Sequence, residues 1–179
     1  MSIYTKKGDL GETSNFDGKR KAKTDNLFWL LGALDELNAR IGVTIAETPK
    51  GSFIINYLEQ IQNDIFELSS IVATEKPQDQ DWIVKRVGEL EGQIDKWDSE
   101  LTPLRNFVLS GIDSVSANLH LCRVATRTAE RYFFVTFNKS HPLIAKYLNR
   151  LSDYIFQLTR YHLKQSKLNE RIWRPKIKP

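Results

Sequence analysis

The sequence predicts an all-α fold, a five-helix bundle preceded by a glycine-rich N-terminal arm. Apolar residues recur at helical spacing in five stretches, and no stretch shows the alternation that is typical of a strand. Proline and glycine separate these stretches, which indicates short connections between neighbouring helices. The 179 residues, 41% of them hydrophobic, suit one domain with a sizeable core. We divide this domain (1–179) into an arm over residues 1–23, a bundle over 24–165 and a basic tail over 166–179.

The arm is expected to be neither a helix nor a good strand, because Gly8, Gly11 and Gly18 interrupt it. Backbone N–H groups beside cations are what a polyphosphate requires, so the arm is a candidate nucleotide-binding segment. A flexible, solvated arm explains the composition equally well. The arm is not a Walker A loop, because six residues separate Gly11 from Gly18 and Arg20 follows Lys19 where Ser or Thr is needed. Its cations are Lys6, Lys7, Lys19, Arg20, Lys21 and Lys23.

The first three helices are expected at about residues 24–46, 53–73 and 79–100, from their apolar periodicity and from the breaks that follow them. Asp35 lies on a polar face of the first helix. Such a carboxylate is usually solvated, and it becomes functional only if a cation faces it. We assign no chemistry to the second and third helices.

The segment over residues 101–113 is expected to be an irregular connection, because Pro103 and Gly111 prevent a continuous helix. Phe107 is one of its few apolar residues. A loop anchored in the core is the simplest interpretation of this segment.

The fourth helix, at about residues 114–138, carries the most specific pattern. At about 100° per residue, one face collects His120, Arg123, Arg127, Glu130 and Arg131. The opposite face, predicted to lie in the core, collects Leu121, Val124, Ala125, Thr128, Tyr132 and Val135. The charged face is either a solvated surface or a polyanion site. The second reading accounts for three arginines that share a single acidic neighbour, since a bound polyanion relieves their repulsion.

The fifth helix is expected at about residues 142–164, with Asn149 on its polar flank. The tail that follows is basic and irregular. Contact with an anionic partner is one interpretation of it, and a solvated tail is the simpler one.

Four runs together resemble the PduO-type ATP:cob(I)alamin adenosyltransferases. They are YTKKGDLGETSNFDGKRKAK, GALDELNARIG, LHLCRVATRTAER and YLNRLSDYIF. The resemblance covers nearly the whole chain and implies an enzyme that transfers the 5′-deoxyadenosyl group of ATP to the cobalt of cob(I)alamin, with Mg²⁺. It also implies a homotrimer with active sites between subunits. A flavin reductase or an adenosylcobalamin-dependent enzyme is the expected protein partner.

The resemblance also implies roles for individual residues. Phe107 would lie against the corrin ring, and Arg123 would pair with Asp35, either across the bundle or across a subunit boundary. Arg127 would contact the ATP phosphates, so the catalytic set is Arg127, Asp35, Arg123 and Phe107. The implied ATP-binding set is Thr5, Lys6, Lys7, Gly8, Thr13, Ser14, Lys23, Arg127, Glu130, Arg131 and Asn149. The protein ligands of Mg²⁺, which would enter with the ATP phosphates, are left open.

The sequence departs from the family pattern at Lys7, Ser110, Ile112 and Thr128. The family has a proline where Ser110 stands, a glycine for Ile112 and an arginine for Thr128. Because our helical wheel turns Thr128 towards the core side, we expect a modest effect from that change. These departures keep a second hypothesis open, that of an ATP- or cobalamin-binding carrier or sensor.

A third hypothesis, a helical nucleic-acid-binding protein, rests on the net charge of +4 and the basic tail. The basic residues cluster around glycines and on one helix face, which favours a small anionic ligand, so we expect no nucleic-acid partner. One cysteine, no signal peptide and no long apolar run indicate a cytoplasmic protein without a membrane partner.

Overall fold

The computed structural model describes residue 4 and residues 6–74 and 80–174, and it confirms the all-α fold. The described residues form five helices and four short strands. The helices are α1 (Asn26–Glu47), α2 (Phe53–Ala73), α3 (Asp81–Glu100), α4 (Ser114–Phe137) and α5 (Pro142–Gln165). The strands are β1 (Glu12–Ser14), β2 (Arg20–Ala22), β3 (Val108–Leu109) and β4 (Arg171–Ile172). The expected start of the third helix at residue 79 lies outside the described residues.

Side-chain caps fix where three of the helices begin. Asp25 accepts a hydrogen bond from the Leu27 N–H at 2.9 Å and so caps α1. Ser52 caps α2 in the same way. Asp113 and Ser116 form a reciprocal capping box at the start of α4, which satisfies backbone donors that would otherwise be unpaired. The expected helix starts therefore agree with the structure to within about two residues.

The helices pack in the order α2, α1, α4, α5 and α3, so α4 is held between α1 and α5. The buried side of α4 is formed by Leu119, Cys122, Ala125, Ala129 and Phe133. Cys122 lies 3.3 Å from the Thr44 hydroxyl of α1, and burial raises the pKa of its thiol to about 11.

The predicted core face of α4 is wrong for most of its members. Leu121 and Val124 are each 48% exposed and Val135 is 61% exposed, whereas Ala125 is buried. The helix is apolar on two sides, and its true core side combines Leu119 and Phe133 with the smaller Cys122 and Ala129. Periodicity alone does not decide which of the two sides lies in the core, and the side that was predicted is exposed in the single chain.

The arm contains an antiparallel β-hairpin, which corrects the expectation that it forms no regular strand. β1 pairs with β2, with Thr13 opposite Lys21. Gly18 has a φ of +79°, which a residue with a side chain rarely adopts and which lets the chain turn back after β1. The Arg20 guanidinium donates to the Glu12 carboxylate at 2.9 Å across the two strands. Gly18, one of the glycines that argued against a strand, thus lies in the turn that permits one.

The start of the tail is also ordered against the protein, contrary to the expectation of a solvated tail. β4 pairs antiparallel with β3 of the 101–113 connection, with Val108 opposite Ile172 and Leu109 opposite Arg171. The Trp173 N–H donates to the Phe107 carbonyl at 2.8 Å. Each strand has only two residues, so the sequence carries no alternation from which the pairing could be predicted.

A buried ionic cluster joins α2, α3 and α5. The Arg86 guanidinium donates to the Asp64 carboxylate at 2.7 Å, and the Tyr147 hydroxyl donates to the same carboxylate at 2.7 Å. Arg86 also donates to Glu89. Burial and the Asp64 charge raise the pKa of Tyr147, so its hydroxyl remains a donor at physiological pH. The cluster satisfies a carboxylate that would otherwise be costly to bury.

We predict that Arg86→Met lowers the free energy of unfolding by about 3–5 kcal/mol, because it leaves the Asp64 carboxylate buried without its cation. Urea denaturation monitored by circular dichroism measures the change. Lys85→Met is the matched control, since the Lys85 side chain is 78% exposed. An Arg86→Met protein as stable as the control would show that Asp64 does not depend on this partner.

Candidate functional site

The candidate site is a cavity of about 690 Å³ between the 101–113 connection, α4, α5 and the segment after β4. It brings together three of the predicted site residues, Phe107, Arg123 and Arg127. Its other lining residues are Leu104, Arg105, Asn106, Val108, Ser110, His120, Ser152, Asp153, Phe156 and Trp173. Phe156 and Trp173 were not predicted as site residues. Trp173 was missed because its place in the wall depends on the β3–β4 pairing.

One part of the cavity wall is aromatic. The Phe107 ring is 78% exposed, and the Trp173 ring packs edge-on against it with 6.2 Å between the ring centroids. Phe156 of α5 lines the same cavity. Exposing large aromatic surface to water is unfavourable, so this wall is suited to a flat apolar ligand that covers it.

Another part of the wall is cationic. The Arg123 guanidinium carbon lies 6.0 Å from the centroid of the Phe156 ring. Burial, together with the charge of Arg127, lowers the pKa of Arg123. The Arg123 Nε is buried without a hydrogen-bond partner among the described residues. Arg127 is exposed one helical turn further along α4. An anionic group bound here would relieve the repulsion between the two guanidinium groups.

His120 lies in the wall of the cavity rather than on a solvated face. Its side chain is largely buried, and its Nδ1 has no hydrogen-bond partner in the described part of the chain. Burial, and next the charge of Arg123, lower the pKa of His120 below its ordinary value of 6.5. The imidazole is therefore neutral at physiological pH and adds no charge to the two arginines.

The remaining predicted residues of α4 and α5 lie close to Arg127 but do not line the cavity. The Asn149 side-chain amide donates to the Glu130 carboxylate at 3.0 Å, and the Arg150 guanidinium donates to the Asn149 Oδ1 at 3.0 Å. Glu130 stands three residues after Arg127, so the two share one side of α4. Arg131, one helical turn after Arg127, donates to the Thr128 hydroxyl at 3.0 Å.

Two expectations about α1 and α4 need correction. Asp35 is exposed on α1, and no ion pair joins it to Arg123 within the described ranges, so the pairing across the bundle does not form. Pairing across a subunit boundary stays a prediction.

Thr128 does not point to the core. It lines a separate cavity of about 400 Å³ with Lys23, Trp29 and other residues of α1 and α4.

The predicted residues of the arm lie apart from the larger cavity. Thr5 is outside the described residues, and Lys6, Lys7, Gly8, Thr13, Ser14 and Lys23 are absent from the cavity lining. Arg20 donates to the Lys7 carbonyl at 3.1 Å. A Cβ atom at Gly8 would lie only 3.3 Å from the Glu12 carbonyl and from the Lys23 side chain, so Gly8 allows a close approach here. Gly8 and Lys23 thus meet at the base of the hairpin.

Comparison with known proteins gives one consistent result. Residues 3–162 match the family described as cobalamin adenosyltransferase. The chain is 38% identical over 181 residues to the corrinoid adenosyltransferase MMAB of Homo sapiens, covering 96% of this chain and 72% of that protein. It is 37% identical over 183 residues to the corrinoid adenosyltransferase of Mycobacterium bovis, covering 97% of this chain and 93% of that protein.

Solved structures resemble this fold closely. One is a variant of the PduO-type ATP:corrinoid adenosyltransferase from Lactobacillus reuteri complexed with cobalamin and ATP. It has a TM-score of 0.86 and 27% sequence identity, and the likeness covers 97% of this chain and 100% of that chain. A second variant from Lactobacillus reuteri, complexed with ATP, has a TM-score of 0.84 and 29% identity over 96% of this chain and 100% of that chain.

We predict that the stability of the protein falls as the pH is lowered below about 6.5, and that His120 contributes to this slope. Because the fold lowers the pKa of His120, the unfolded chain binds its proton at a higher pH than the folded chain does. The neutral imidazole therefore makes its full contribution to the free energy of unfolding above pH 6.5, and this contribution is lost progressively below that pH. Thermal midpoints between pH 8 and pH 5 should fall less steeply in His120→Gln than in the wild type. His141→Gln is the control, and equal slopes in all three proteins would contradict the prediction.

Proposed function

The chain belongs to the cobalamin adenosyltransferase family, and we propose that the cavity lined by Phe107, Arg123 and Arg127 is where its reaction takes place. It is an ATP:corrinoid adenosyltransferase, an enzyme that transfers the adenosyl group of ATP to cobalamin. The observation that carries the assignment of the site is the meeting of an aromatic wall and two arginines in one cavity. An aromatic wall suits the flat corrin ring, and the arginines suit the phosphates of ATP.

The chemistry requires no nucleophile from the protein. In the proposed reaction the reduced cobalt of cob(I)alamin attacks C5′ of the ATP ribose, a cobalt–carbon bond forms, the C5′–oxygen bond breaks, and tripolyphosphate leaves. The protein must hold the two substrates in line and neutralise the leaving group. Arg127 is proposed to contact the phosphates, and Phe107 to lie against the corrin ring. Arg123, whose Nε has no hydrogen-bond partner among the residues that the structure describes, is proposed to orient the site beside Arg127.

The arm is proposed to complete the ATP site from a neighbouring subunit. Its proposed contacts, from Lys6 to Lys23, are absent from the cavity that holds Arg127 in the single chain. Asp35 is likewise exposed and unpaired with Arg123. Both observations are accounted for if the arm of one copy reaches the α4 face of another. Glu130, Arg131 and Asn149 would then line the nucleotide beside Arg127.

A homotrimer is the assembly we propose, and an apolar stripe on α1 and α4 supports it. Leu121, Val124 and Val135 are half-exposed or more along α4, and Trp29 of α1 is 52% exposed. The Trp29 ring stacks on Tyr132 of α4 with 6.0 Å between the ring centroids. A contiguous apolar surface of this kind is usually covered by another chain. A second copy is the proposed occupant, because the family resemblance implies a homotrimer and offers Arg123 of another subunit as the partner of the exposed Asp35.

Mg²⁺ is proposed to enter bound to the ATP phosphates. No group of three His, Cys, Asp or Glu side chains suited to a metal occurs among the described residues. Mg²⁺ commonly needs only one or two carboxylates when phosphates supply its other oxygens, and Glu130 is a carboxylate on the arginine side of α4.

No helix that the structure describes is long and apolar enough to cross a bilayer. The cytoplasm stays our prediction for the compartment, from the single cysteine. A flavin reductase and an adenosylcobalamin-dependent enzyme stay predicted partners.

We predict that Arg127→Ala lowers kcat by about 100-fold or more, because it removes a cation that stabilises the departing tripolyphosphate. The assay is anaerobic: chemically reduced cobalamin, ATP and Mg²⁺ are mixed with the protein, and the visible spectrum reports adenosylation. Lys139→Ala is the control, since Lys139 is exposed beyond the C-terminal end of α4. ATP binding without adenosylation by the wild type would instead indicate a carrier or sensor. Wild-type turnover in Arg127→Ala would remove this arginine from the site.

We predict that Val124→Glu converts the trimer to monomers at micromolar concentration, because it places a charge in the apolar stripe. Sedimentation equilibrium measures the mass. Val84→Glu is the matched control, since Val84 on α3 is 54% exposed but lies outside the stripe. A Val124→Glu protein with the mass of the control would show that the stripe is not the interface.

A further inference from the structure

A buried arginine outside the candidate site joins two segments of its wall. Arg160 of α5 is only 4% exposed. Its Nε donates to the Glu170 carboxylate at 2.6 Å, and its Nη2 donates to the Thr102 carbonyl at 2.7 Å. Its Nη1 donates to the Gln157 side chain at 3.3 Å. All three guanidinium nitrogens are therefore engaged, and the contacts reach two segments far apart in the sequence.

The two segments that Arg160 joins both lead into the aromatic wall. Thr102 lies at the start of the connection that carries Phe107, and Glu170 directly precedes β4 and Trp173. Beyond this arginine, the same two segments are paired through β3 and β4. Arg171 donates to the Ser110 carbonyl at 3.0 Å, and Trp173 donates to the Phe107 carbonyl at 2.8 Å. The two strands β3 and β4 form a small ribbon that carries the Phe107 and Trp173 rings at one end. Arg160 thus attaches this ribbon to α5.

The ribbon needs this attachment because its own contacts are weak. A pair of two-residue strands is not stable by itself in water. Its apolar contacts add little, since Phe107 is 78% exposed and Trp173 is 45% exposed. The bond between Arg160 and Glu170 is charge-assisted and largely shielded from water, which makes it stronger than the neutral bonds along the strands.

We propose that Arg160 is a positioning residue for corrin binding: it fastens the C-terminal segment to the connection and so holds Phe107 and Trp173 in place before the substrate arrives. This inference rests on the proposed function of the cavity. A wall that is ordered in advance loses less conformational entropy on binding, so the benefit falls on the affinity for the corrin and not on that for ATP. The chemical step is not expected to require Arg160, since Arg160 does not line the cavity.

The decisive variant is Glu170→Gln, which removes the charge but keeps the shape of the side chain. The Glu170 side chain is 24% exposed, so the fold should tolerate the change. Arg160→Met is the stronger variant, because it removes the bonds to both Glu170 and Thr102. Lys164→Met is the matched control: Lys164 lies one turn further along α5, and its side-chain ammonium donates to the Glu100 carbonyl and carboxylate rather than to Thr102 or Glu170.

We predict that Glu170→Gln raises the KM for cob(I)alamin about tenfold, the scale of one hydrogen bond to a charged group, with little change in the KM for ATP. Trypsin should cleave after Arg171 faster in this variant, because β4 separates from β3 more often. The thermal midpoint of unfolding should stay close to that of the Lys164→Met control.

Two results would overturn the proposal. In one, the KM for cob(I)alamin and the cleavage rate after Arg171 equal those of the wild type. In the other, both KM values and the thermal midpoint change together, which would make Arg160 a general stabilising residue. The wild type is assayed first: absence of adenosylation there would contradict the proposed function, whereas the trypsin result still reports on the attachment of the ribbon.

Discussion

The packing of α4 between α1 and α5 is the constraint on which the rest of this structure depends. One side of the helix lies in the core, where Leu119, Cys122, Ala129 and Phe133 are buried. A second side faces the cavity with Arg123 and Arg127. A third side leaves Leu121 and Val124 half-exposed. A single helix thus supplies the core, the cationic wall and an apolar surface, so a change in its rotation would disturb all three.

Much of the fold was predictable from the sequence, because helices leave a strong periodic pattern and their caps are local. The rotation of α4 was not, since the helix has two apolar sides and periodicity alone does not decide which of them lies in the core. Tertiary packing decided between them, through the fit of Ala129 and Cys122 against neighbouring helices. The strands were missed for a different reason. Pairs of two or three residues are too short to show alternation, and the partner of β3 lies more than sixty residues away in the sequence.

The candidate site was predictable in part, since some of its predicted residues line the cavity and others lie elsewhere in the chain. Phe107, Arg123 and Arg127 meet in one cavity, and their types indicated a flat apolar ligand and a polyanion. Trp173 joins them only through the pairing of the tail. The arm and Asp35 lie apart from this cavity in the single chain, as expected if the site is shared between subunits as we propose. The resemblance names these residues, and their place beside Arg127 stays a proposal that depends on the proposed trimer.

The buried thiol of Cys122 has a practical consequence. It shares a hydrogen bond with the Thr44 hydroxyl, and burial raises its pKa to about 11, which favours the protonated thiol at the pH of most labelling reactions. Since Cys122 is buried and the chain has no other cysteine, we expect maleimide reagents to react little with the folded native protein. A cysteine introduced into the tail or the arm can therefore be labelled selectively with a fluorophore or a spin label. The wild-type protein then serves as the unlabelled control for measuring how these segments move.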